Sequence, residues 1–145
     1  MQEMYPGGLA VFNSNDIYPI SSDSTMPFAQ HRDIFYLCGI DQEESILLLF
    51  PDAPKAEHRE ILFIRETNEM IAVWEGQKLT QKKATELSGI ESVYWIDTFE
   101  EIFKKLAQEA KIFYFNTNEH TRSKVETQTR EDRFIKWAKA KFPNH

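Results

Sequence analysis

The chain has 145 residues, 41% hydrophobic and 28% charged, with a formal net charge of −6 and one cysteine, which fits one globular domain with a core of its own. The acidic balance argues against a nucleic-acid partner, which needs a basic patch. The longest apolar run, Ile46 to Phe50, is too short to cross a membrane bilayer. Cys38 cannot form an internal disulfide, and no basic, apolar secretory signal opens at Met1-Gln2-Glu3, so a cytoplasmic address is expected.

Leu9 to Phe12, an apolar run after Pro6-Gly7-Gly8, predicts the first strand. Asn13 to Thr25 is rich in Asn, Ser and Asp and reads as a loop. Arg32 to Cys38 predicts a short helix or turn, stopped by Gly39. Beyond a polar bridge, Asp41 to Ser45, the unbroken run Ile46 to Phe50 predicts a strand buried on both faces, the centre of a sheet. Pro51, Asp52 and Pro54 make a tight exit, Lys55 to Arg59 a charged loop, and Ile61 to Ile64 a second buried strand beside the first. Glu69 to Trp74 reads two ways. Its contiguous apolar residues suit a strand, while its length and Asn68 as a cap suit one or two helical turns, the preferred reading, ended by Gly76. Thr80 caps a helix through Leu87, which Ser88-Gly89 stops, and Val93 to Ile96 is the next strand. Phe99, Ile102, Phe103, Leu106 and Ala107 form a helical stripe, and Thr98 with Glu101 fits a capping box at its start. Ile112 to Phe115 predicts a further buried strand, closed by Asn116-Thr117-Asn118. The last helix is expected from about Ser123 to Phe142, with Phe134, Trp137, Ala138 and Phe142 inward and Pro143 ending it. Strands alternating with helices predict a layered α/β domain.

The stretch from Pro27 to Phe50 also carries a likeness. Phe28, Gln30, Asp33, Phe35, Tyr36, Leu37 and Gly39, then Leu47 to Leu49, resemble the signature of the amino-terminal domain of aminopeptidase P, a domain type also found in prolidase and creatinase relatives. Asn15-Asp16 and Tyr18-Pro19 resemble its lead-in, and Trp74-x-Gly76 with Leu79 resembles a second block. Cys38 departs from the pattern where a small hydroxyl residue is commoner, as does Ala29 where a basic one is. The resemblance implies a single amino-terminal domain over residues 1–145. Its fold would be a mixed, roughly six-stranded sheet flanked by helices, with ribonuclease H-like layering. It also implies a parent Xaa-Pro aminopeptidase that removes the residue ahead of proline. Two divalent ions, usually manganese, serve that chemistry and are held by a carboxy-terminal domain that this chain lacks. This chain alone is then expected to be non-catalytic and to hold no cofactor. Its implied partners are the missing catalytic domain, further copies in a homo-oligomer, and the parent's peptide substrate.

The residues themselves offer little catalytic chemistry. His31, His58, His120 and His145 have no mutual ligand spacing. Asp16, Asp23 and Asp33 would cluster only if the fold gathered them, and solvated loop carboxylates are the simpler reading. Cys38, inside an apolar run, reads as a buried inert thiol and not as a nucleophile. The sequence has no nucleophile elbow, phosphate loop or dinucleotide fingerprint. Arg32 and Asp33 are either a helix-start acid beside a solvated cation or, as the resemblance implies, a polar edge at the substrate entry. Trp74 is either a core tryptophan ending the Met70 to Val73 run or, as the resemblance implies, an interface aromatic walling a neighbouring subunit's site. Two rival readings stand beside the main one. The first is a catalytically silent binding module like that of some large histone chaperones, which would suit basic partners, although the acids here are interspersed. The second is the amino-terminal domain of a prolidase or creatinase.

Overall fold

The computed structural model describes residues 4–21, 24–116 and 128–145. In chain order these form β1 (Gly8–Asn13), β2 (Pro19–Ser21), β3 (Ser24–Thr25), α1 (Arg32–Cys38), β4 (Ile46–Leu49), β5 (Glu60–Ile64), α2 (Glu69–Glu75), α3 (Gln81–Ser88), β6 (Ser92–Trp95), α4 (Phe99–Glu109), β7 (Ile112–Phe115) and α5 (Arg130–Lys141). Single 3-10 turns, Ala56–His58 and Ile96–Thr98, precede β5 and α4.

Five strands make one mixed sheet in the order β6-β5-β4-β1-β7. β4 is antiparallel to both neighbours, and the outer pairs β1–β7 and β5–β6 are parallel. The apolar run Ile46 to Leu49 is therefore central, as its unbroken burial requires. Alternate residues feed two layers. Leu9, Val11, Ile46, Leu48, Ile61 and Phe63 join the cluster built with α4 and α5. Ala10, Leu47, Leu49, Leu62 and Ile64 join the one that takes Ile34 and Cys38 from α1 and Ala84 from α3. Aromatic rings fill the first layer. Phe103 has Phe99, Phe113, Phe134, Trp137 and Phe142 at centroid distances of 5.4, 5.5, 5.5, 5.7 and 5.8 Å.

Several expectations need adjustment. The sheet has five strands among the described residues, not about six. The loop expected over Asn13 to Thr25 carries the small separate ribbon β2–β3. Thr98 does not cap α4: the 3-10 turn puts it in helical geometry (φ −85°, ψ −6°), and its hydroxyl donates to the Trp95 carbonyl at 2.7 Å. A capping box stands instead at α5, where the Asp132 amide donates to Thr129 Oγ1 at 3.2 Å and the Thr129 amide to Asp132 Oδ2 at 3.0 Å. That helix starts at Arg130, not near Ser123; residues 123–127 lie outside the described residues, as do Thr117, Asn118, His120 and Asp23. β7 is an edge strand, and so its side chains are half-buried or exposed.

Candidate functional site

Two short helices carry the residues singled out from the sequence. α1 opens on His31, whose Nδ1 accepts the Asp33 amide at 3.3 Å, and closes on Gly39. Gly39 has φ 70°, a left-handed geometry that glycine adopts without strain, and its amide donates to Phe35 O at 2.7 Å. Burying Ile34 and Cys38, four apart, turns the next positions outward: Phe35 is 52% exposed and Tyr36 89%. Gln30 explains its place in the sequence block. Its Nε2 donates to the carbonyls of Ile40 and Gln42 at 3.0 and 3.1 Å, tying the segments on either side of α1 together. Asp33 turns to Asn116 Nδ2 at 2.7 Å and so links α1 to the end of β7. Arg32 is exposed on the same helix.

α2 forms because Asn68 caps it, its Oδ1 accepting the Ile71 amide at 2.8 Å. None of its own residues is buried. Met70, Val73 and Trp74 project at 77, 79 and 87% exposure, at i, i+3 and i+4 on one face. The core reading of Trp74 therefore does not hold. An ion cluster fastens the helix in place of a core. Arg65 Nη2 reaches Glu75 Oε2 at 2.6 Å, its Nε lies 3.6 Å from Glu44 Oε2, and its Nη1 lies 3.8 Å from Glu43 Oε1. Lys78 Nζ also donates to Glu43 Oε1. Burial works to raise the Glu43 carboxyl, but Lys78, a backbone hydrogen bond and Arg65 together outweigh it and hold the group below its usual range. Glu44 sits at φ 52°, a costly geometry for a side-chain-bearing residue, beside this cluster. Sequence reading passed over this cluster: Glu43 and Glu44 look like ordinary loop acids, and nothing in the spacing to Arg65 or Lys78 announces a contact.

The other candidate side chains are taken up by contacts within the fold. Cys38 is buried, burial pushes its thiol up, and Sγ donates to Ile34 O at 3.1 Å, so it is a core side chain. The donors present do not fit a metal centre: His31 caps α1, Asp33 is engaged by Asn116, and Asp16 pairs with Arg133 at 2.8 Å. Among the described residues no three His, Cys, Asp or Glu gather where they could hold an ion. Nor is any helix among them long and apolar enough to cross a membrane. No described hydrogen bond or ion pair joins α1 to α2, so Arg32 and Asp33 belong to one surface element and Trp74 to another.

Comparison with known proteins agrees with this architecture. The chain is 28% identical over 105 residues to human Xaa-Pro aminopeptidase 3, covering 71% of this chain and 21% of that protein. It is 29% identical over 108 residues to Xaa-Pro aminopeptidase of Escherichia coli K12, covering 74% and 24%. The chain thus spans about a quarter or less of these curated relatives. A solved Bacillus anthracis chain assigned to aminopeptidase P superposes with a TM-score of 0.84 at 22% identity, over 99% of this chain and 34% of that one. Aminopeptidase P from E. coli in its low-pH form gives 0.76 at 22% identity, over 97% and 30%. The model of the aminopeptidase P N-terminal domain matches residues 1–114. With that match over most of its length, and with the mixed sheet and helices of that domain, the chain belongs to the aminopeptidase P N-terminal domain family.

Proposed function

We propose that the chain is the non-catalytic amino-terminal domain of an Xaa-Pro aminopeptidase, serving subunit assembly and access to an active site carried by another domain. The observation behind this reading is α2, a helix that buries none of its own residues and holds Met70, Val73 and Trp74 out in water. An apolar ridge kept exposed on a folded domain marks an association surface, and a tryptophan on it supplies large contact area for little entropic cost. The relatives carry most of their length beyond the matched part; we read that remainder as the metallopeptidase domain, with manganese or another divalent ion supplying the hydrolytic chemistry there. A homo-oligomer then brings α2 of one copy against a neighbour. Arg32 and Tyr36, exposed on α1, would line the approach for a peptide. A narrow approach suits an exopeptidase because it rejects folded and internal chain segments. The cytoplasmic address belongs to the same reading.

Trp74→Ala tests it. In the 145-residue chain the substitution should leave the melting curve near wild type, within the roughly 0.5 kcal/mol typical of surface changes. In the full-length parent it should weaken assembly by sedimentation, lower kcat/KM on Xaa-Pro peptides, or both. A full-length variant that assembles and turns over as wild type would sink the interface role. A parent with no manganese-dependent turnover would favour the silent binding module.

A further inference from the structure

The stretch from Arg65 to Leu79 leaves β5 and returns toward α3, carrying α2 between. α2 has seven residues, too few to stand as a helix in water unaided. Packing does not supply the missing stability. Ile71 and Ala72 are half-buried and its other residues exposed. None of the seven belongs to, or packs against, either apolar cluster of the core. Its last residue is Glu75, an acid at the end of a helix where the backbone dipole favours a cation. Charge and hydrogen bonding are what remain to hold it in place.

Both ends of the stretch are tied to one corner, Gln42 to Glu44, between α1 and β4. At the outgoing end Arg65 spans from that corner to the end of the helix. Its Nη2 reaches Glu75 Oε2 at 2.6 Å, while Nη1 and Nε face Glu43 and Glu44 at 3.8 and 3.6 Å. At the returning end Lys78 Nζ donates to Glu43 Oε1, and the Leu79 amide donates to Gln42 Oε1 at 2.8 Å. The Leu79 side chain then packs on the cluster that holds α3. The corner is fixed from within. Gln42 O accepts Gln30 Nε2 at 3.1 Å and Ser45 Oγ at 2.9 Å, and Glu44 keeps a left-handed geometry that persists only where the surroundings over-determine it. Among the described residues Glu43 alone meets both Arg65 and Lys78. Its side chain is 9% exposed, against 29% for Arg65 and 21% for Lys78, so it is the innermost member of the cluster.

We propose that Glu43 is the positioning residue of the Met70–Val73–Trp74 ridge: its carboxylate pins both ends of the Arg65-to-Leu79 strap, so that α2 is docked by charge and comes away as one unit when that charge is removed. Without the carboxylate, Arg65 and Lys78 lose the group that draws them to the corner, and both solvate more readily with the strap open. The sheet keeps its apolar contacts, because none of them runs through α2. What the held ridge does for assembly rests on the reading of α2 as an association surface: a ridge ordered before contact spares the complex the cost of ordering it.

Amide hydrogen exchange in the 145-residue chain tests the strap. Ala72, Gly76 and Leu79 report on it, their amides donating to Asn68 O, Ala72 O and Gln42 Oε1. The amides of β4 and β5 report on the sheet. Glu43→Gln keeps the shape and removes the charge. It should speed exchange of the strap amides by on the order of 10- to 100-fold, the scale of a lost hydrogen bond to a charged group. It should also weaken the helical carbon shifts of Asn68 to Gly76, with β4 and β5 unchanged. Strap amides that exchange as in wild type overturn the proposal. So does a parallel rise in strap and sheet, because Glu43 then supports the whole fold and positions nothing. If Glu43→Gln does not fold, Arg65→Met, at a more exposed side chain, is read by the same criteria. In the full-length parent, Glu43→Gln should weaken assembly as Trp74→Ala does. Normal assembly of Trp74→Ala beside a loosened strap in Glu43→Gln rejects the association surface and supports the strap. Weakened assembly of Trp74→Ala beside an unmoved strap rejects the strap and keeps the surface.

Discussion

Leu48→Ala should cost this domain about 3–4 kcal/mol, and the estimate follows from where the side chain sits. Leu48 is 0% exposed in the central strand, paired to Val11 on one side and Ile61 on the other, and it belongs to the aromatic layer with Phe63 and Phe103. The substitution deletes three carbons, worth about 2.4 kcal/mol at roughly 0.8 kcal/mol each. A cavity term adds to this because sheet backbone and stacked rings cannot close over the gap; Leu→Ala changes in such cores span about 2–5 kcal/mol. Near 150 residues, each kcal/mol moves the midpoint by roughly 2–4 °C, so the melt should fall by about 10 °C. Chemical denaturation of the chain, read as a shift in midpoint at constant slope, measures the loss directly. A loss under about 1 kcal/mol would refute the reasoning, since only a site that collapses fully or is poorly packed could give it.

Thr129→Ala removes the reciprocal cap of α5 and should cost about 1 kcal/mol by the same denaturation assay. No loss would mean that the helix start is held by the hydrogen bonds from Asn13 to the Glu131 carboxylate alone. Lys78→Met should raise the Glu43 carboxyl. A depressed carboxyl stabilises the fold above its ordinary value of 4.5, and that contribution is lost as pH falls through its folded value. The acid-unfolding midpoint of the variant should then move to higher pH, and an unmoved midpoint would show that Lys78 does not hold Glu43 down.

Apolar runs and punctuation made most of the fold legible. Ile46 to Leu49 and Ile61 to Ile64 stand out because strands covered on both faces cannot alternate, and Gly39 and Gly89 mark helix ends because each adopts a left-handed geometry. Ile112 to Phe115 misled for a related reason: an apolar run looks the same whether the strand lies inside a sheet or at its edge, and only pairing decides. Thr98 misled because the capping-box pattern says nothing of a preceding 3-10 turn, which turned its hydroxyl back to Trp95. The candidate site was half readable. Trp74 drew notice beside Gly76, but an apolar run does not tell a buried from an exposed helix, and the Arg65–Glu75 pair beside it is a contact without periodicity. Glu131 and Asn13 lie more than a hundred residues apart, and each looks like an ordinary polar residue at the end of its element.

The pairing of β1 also sets an order of events in folding. β1, β4 and β5 form an antiparallel meander complete by Ile64, but the other side of β1 waits for β7, whose Ile112 registers with Gly8. Closing so long a loop costs only slightly more than a shorter one, about 0.6 kcal/mol per doubling, so the penalty is chiefly delay. On a ribosome adding about 5–20 residues each second, the stretch from Ile64 to Phe115 takes roughly 3–10 s. Through that interval the nascent chain carries β1 with an unpaired, strongly apolar edge, a template for strand pairing with other chains. The parallel crossover thus leaves the domain most prone to aggregation midway through its synthesis, when the first three strands of the sheet are made and β7 is not.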